Sequence, residues 1–130
     1  MHRSLPQEAL DRIALEQSHF AQAPLAFFEA WKRGAEIAGA EWFGDGTPEG
    51  LQQANSKWDL RPNLQRLNHA FGVLSSGQRM FLAAMVSFYN AHDGAKLLKR
   101  CGFEGLSDLN GLDLGRRKVV ADLLLYYNGW

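Results

Sequence analysis

Arg116, Arg117 and Lys118 place three cations side by side in the first turn of the helix that Asp113 should cap. A helix start carries positive partial charge, so each exposed cation there costs a few tenths to about 1 kcal/mol. The same arrangement, with its free backbone N–H groups, is a ready site for phosphate or carboxylate. Lys96, Lys99 and Arg100 form a second basic group, at a helix C-terminus where the dipole favours cations. Gathered into one patch, the six would make an anion or nucleic-acid surface. Against that reading, the 14 Lys and Arg are balanced by 14 Asp and Glu, short of the basic excess usual in nucleic-acid-binding domains.

Trp42, Phe43 and Trp58 are the second group, on a segment broken by Gly39, Gly44, Gly46 and Gly50. Large aromatics on irregular backbone either wedge a core shut or anchor a partner. With Glu36, Glu41, Asp45 and Glu49 around them, a partner would be basic or peptide-like.

Other spacings lead less far. Glu16-Gln17-Ser18-His19 is one Glu-x-x-His step of a di-metal helix bundle, but no second copy accompanies it. His2, His69 and His92 make no ligand pattern. Asp108-x-Asn110-Gly111-x-Asp113 fails the EF-hand loop, whose glycine is sixth and glutamate twelfth. Cys101, near His92 and Asp93, continues an apolar stripe to a helix C-terminus, where a thiolate is disfavoured. It reads as structural. Gly44-Asp45-Gly46 reads as an interhelical turn, since no strand precedes it. Leu74-Ser75-Ser76-Gly77-Gln78 resembles the LSGGQ signature of ABC-transporter ATPases over five residues, departing at Ser76. In that family the signature presents a helix N-terminus to nucleotide, but this chain has no GxxxxGK[ST] loop. What the two share is a good helix start.

The element that must organise these residues is the apolar run Met80–Val86, continued by Phe88 and Tyr89 and opened by a capping box of Ser75 and Gln78. A helix apolar all round must be enclosed by protein. Ser4, Pro6 and Glu8 open a first helix with Leu10, Ile13, Ala14 and Gln17 as its stripe. Pro24 opens a second, with Phe27, Trp31, Gly34, Ala35 and Ala38 on one face, ending near Gly39. Thr47-Pro48-Glu49 starts a short helix to about residue 56, and Leu64, Leu67, Phe71 and Leu74 mark the next. Ala91, Gly94, Ala95, Leu98 and Cys101 line a fifth, closed by Gly102 as its left-handed residue, with Phe103 folding back on Leu98. Leu106, Leu109 and Leu112 suggest a tight turn. The last helix should bury Val120, Leu123, Leu124 and Tyr127.

The expected fold is therefore all-α: residues 1–130 as a single compact domain of five to seven helices around a buried central helix at about 76–90. With 130 residues and 46% hydrophobic content, one core is the natural outcome. No segment approaches the roughly 20 apolar residues of a membrane span, the first residues lack an apolar leader, and the single cysteine asks for no oxidising compartment. The expected address is the cytoplasm. Residues 1–60 hold five bases against nine acids, and residues 61–130 nine against five. Opposed charge of this kind suits head-to-tail or self-association. The sequence thus points to a non-catalytic interaction protein without cofactor or metal, its partner a protein or another copy. Weak nucleic-acid binding through the C-terminal bases is the alternative.

Overall fold

The computed structural model describes residues 5–130. It contains α1 (Gln7–Ala38), α2 (Pro48–Gln53), α3 (Leu64–Ala70), α4 (Ser76–Tyr89), α5 (Ala91–Arg100) and α6 (Leu114–Tyr126). Short 3-10 turns occupy Ala40–Trp42, Lys57–Leu60, Phe71–Val73 and Leu106–Gly111. An isolated antiparallel bridge joins Phe43 to Pro62, and the fold is all-α.

α4 is the central helix. Six consecutive residues, Phe81 to Val86, are buried, which only a helix enclosed on every side allows. Its start is the expected capping box: Ser75 Oγ accepts the Gln78 N–H, and Gln78 Oε1 accepts the Ser75 N–H. α5 packs back on α4, with Gly94 against the Ser87 backbone. α1 crosses both α4 and α6 at Gly34, where an added Cβ would meet Met85 and Val119. Contacts of Arg33 with Asp122 and of His19 with Tyr126 make α6 antiparallel to α1. The other wall is the segment between α1 and α3. There Trp31 Nε1 donates to the Leu60 carbonyl at 2.8 Å and the Trp31 ring meets Phe43 edge-on.

Three expectations need correction. The first two helices are one: α1 runs unbroken through Pro24. Proline removes one N–H and crowds the preceding turn. Alanines at 21, 23 and 26 favour helix on both sides, however, and Ala23 and Phe27 are held in the core. Ser4, read as the start, lies outside the described residues, and Pro6 precedes the first turn. α5 buries Gly94 and Leu97, with Leu98 and Cys101 half-buried and Ala95 exposed. α6 buries Val119 and Leu123, while Val120 is half-buried and Leu124 faces out; Tyr127, just past the helix, lays its ring on Phe27 and Phe88 and stays partly exposed. Each side chain turns 100° from its neighbour, so a stripe misread by one residue misplaces a whole face. Here the neighbours set the choice, because α6 lies between α1 and α4. The end of α5 is as expected. The Phe103 N–H reaches the Leu98 carbonyl and the Gly102 N–H that of Lys99, with Gly102 at φ 75°.

Candidate functional site

The aromatic group divides. Trp42 and Phe43 are 5% and 2% exposed, held by the 3-10 turn that ends at Trp42 and by the bond from the Asn63 N–H to the Trp42 carbonyl. They are wedges between α1 and the chain entering α3, and the anchor reading is withdrawn for both. Trp58 remains 55% exposed. Its ring meets Trp130 edge-on, and Lys57 Nζ stands 5.2 to 5.8 Å from the rings of Phe27, Trp58 and Trp130. Trp130 also packs on Trp31 and Tyr89. Lys57, donating to the Gly129 carbonyl, therefore closes this cluster from within, and partial burial lowers its pKa below the usual lysine value.

The arginines of the two basic groups are each engaged within the protein. Arg116 is turned back to Asp113, its own helix cap, and lies over the Phe81 ring. Arg117 donates to the Leu112 and Asn110 carbonyls, tying the 3-10 turn to α6. Both guanidinium groups are thus spent on the protein, leaving Lys118 exposed. Lys96 and Lys99 point to solvent, whereas Arg100 reaches the Asn68 carbonyl and stacks on Phe71. The cations at the start of α6 therefore have a structural use that their cost at a helix N-terminus did not reveal.

The remaining motifs are also occupied. His19 donates to the Leu125 carbonyl at 2.8 Å and stacks on Tyr126. Asp45 accepts the Thr47 hydroxyl and N–H, which hold its carboxyl below the usual range. Asp108 accepts the Glu104 and Gly105 N–H groups with the same effect. His92 and Cys101 lie at opposite ends of α5, about 14 Å apart along the axis. Burial raises the Cys101 thiol, partly offset by Arg79 and Arg100.

What the sequence missed is the state of α1. From Gln7 to Gln22 no residue is buried. Leu10, Ile13, Leu15 and Phe20 are 42–71% exposed along these turns. Stepping back from Phe27 by sevens gives Phe20 and Ile13, so the face that enters the core continues past the end of the bundle. Leu124 and Leu125, at the end of α6, are exposed as well, Leu124 beside Leu106, Leu109 and Val120. The stripe was legible as an alternation of types. Its exposure was not, because a stripe does not say whether anything lies against it.

No family model, curated protein or solved structure matches the chain.

Proposed function

We propose that the protein acts by binding rather than by catalysis, using residues 7–22 of α1 as its contact face, and that the partner is a second copy of the chain. The observation that carries this reading is the bare apolar stripe Leu10, Ile13 and Phe20 on a helix whose following turns are core. Helical segments of this length are marginal in water without tertiary cover. Exposed apolar surface contiguous with a core marks an interaction site more often than a solvated one. Charge supports a copy of the same chain. The open half of α1 holds Glu8, Asp11 and Glu16 against Arg12, whereas the excess of bases lies in residues 61–130, so opposite surfaces of two copies attract.

Sedimentation velocity over a range of protein concentration, at low and high salt, tests it. The expected result is a reversible dimer or larger species that weakens as salt rises, and that Ile13→Asp with Phe20→Asp abolishes while the helical signal of the bundle persists. A clean monomer at every concentration and salt removes self-association.

A further inference from the structure

Away from α1, at the start of α4, Arg79 and Arg100 face a small pocket of about 50 Å³ lined by these two residues with Ser76 and Cys101. Arg79 is half-buried. Its Nε is sealed from solvent yet has no hydrogen-bond partner, and the ion pairs formed among the described residues, Arg33–Asp122 and Arg116–Asp113, leave it without a carboxylate. Arg100 is fixed by the Asn68 carbonyl and by the Phe71 ring, neither of which neutralises its charge. Arg79, Arg100 and Cys101 line the same pocket.

Two cations brought together without an anion repel, and an anion in the pocket would relieve that repulsion through the guanidinium nitrogens that line it, not through the sealed Nε. The helix start adds donors of the same kind. Within the capping box the Gln78 N–H is taken by Ser75, while the N–H groups of Ser76 and Gly77 occupy the first two helical positions, which have no intrahelical acceptor. The volume holds roughly four water-sized atoms, the size of one tetrahedral oxyanion. We propose that this pocket binds such an oxyanion, as inorganic phosphate or as the terminal group of a small phosphomonoester, between Arg79 and Arg100 with the Ser76 hydroxyl as a further donor. The site is separate from the face proposed for self-association, and either can fail without the other.

Cys101, the only cysteine, reports on occupancy. The rate of its alkylation by iodoacetamide, an uncharged reagent, is followed as inorganic phosphate and then phenyl phosphate are titrated against chloride of equal ionic strength. The expected result is a saturable slowing by phosphate that chloride does not reproduce. Its midpoint should weaken by about tenfold or more in Arg79→Gln and in Arg100→Gln, on the order of one lost charge-assisted hydrogen bond. Equal protection by phenyl phosphate assigns the pocket to an ester terminus, and protection by phosphate alone assigns it to the free anion. Slowing no greater than with chloride, or slowing unchanged in both variants, overturns the proposal. Isothermal calorimetry of the unsubstituted protein with phosphate gives a second measurement that does not depend on either variant folding, and absence of binding heat together with absence of protection is decisive against it.

Discussion

At Gly94 and Gly34 single hydrogen atoms set how closely helices approach, and the two sites differ in what would have to move. An added Cβ at Gly94 meets the Ser87 backbone, with Ser87 Cβ at 2.6 Å, so α5 itself must shift away from α4. At Gly34 it meets the tip of Met85 and a methyl of Val119, and the thioether can turn aside. Gly94→Ala is therefore expected to cost about 2–3 kcal/mol and Gly34→Ala less, since overpacking is charged by what cannot relax. Urea midpoints for the pair check the order. Gly34 was legible as a close-approach residue because it lies on a clean helical face, and Gly102 because its position after a cationic helix end matches a closing motif. Trp42 was legible as a core wedge only as one of two alternatives. Its burial depends on the bridge of Phe43 to Pro62, a contact made across the whole irregular segment. Residue-scale electrostatics give a second prediction. The carboxyls of Asp45, Asp108 and Asp113 are held below the ordinary aspartate value of 3.8, chiefly by hydrogen bonds from the Thr47 side chain, the Glu104 N–H and the Arg116 N–H respectively. A depressed folded pKa contributes stability above the unfolded value and loses it as pH falls through the folded one. The urea midpoint should stay level from neutral pH to about 5 and drop below about 4, and Asp108→Asn should flatten part of that drop.

The elements divide between those the core fixes from all sides and the one it holds by half. α4 is the first kind. Met85, fully buried and touching the crossing with α1, cannot accept an unpaired charge, so Met85→Asp should unfold the domain or lower its melting temperature severely. An unchanged melt by circular dichroism would contradict a bundle built around this helix. α1 is the second kind. Its apolar periodicity was legible from Phe27 to Ala38, and so was its small residue at the crossing. Its continuity was not, because Pro24 is as good a first-turn residue as it is an interruption, and sequence alone does not weigh one lost hydrogen bond against helix formers on both sides. The two halves should differ in dynamics. Backbone amides of residues 27–38 share the protection of the core, whereas those of residues 8–20, lying beyond the last buried contact, open without global unfolding. Hydrogen exchange on dilute protein is expected to show this step near Ala23. Equal protection along the helix at concentrations where the protein is monomeric would mean that residues 7–22 are stable alone, which the marginal stability of short isolated helices argues against.

At the scale of the whole molecule, a chain of zero net charge carries an excess of acids in residues 1–60 and of bases in residues 61–130 and leaves an apolar helix half beyond its core. In a monomer neither feature is satisfied, since the stripe on α1 stays wet and the opposed charges are screened within about 10 Å at moderate salt. A second copy would cover the stripe and bring unlike charges together, and the stability so gained would depend on concentration by mass action. Thermal unfolding then distinguishes an associating bundle from a solitary one without naming the geometry of the pair. Melting temperature should rise with protein concentration, by a few degrees for each kcal/mol of linked binding in a domain of this size, and the rise should shrink in high salt. Ile13→Asp should leave the melt of dilute protein nearly unchanged, because Ile13 is exposed and outside the core cluster, yet remove its dependence on concentration. This pairing of effects is specific: a core substitution lowers the melt at every concentration, and a neutral surface substitution changes neither property. If the unsubstituted protein melts at one temperature over a hundredfold range of concentration, the stripe on α1 is not covered by a second copy.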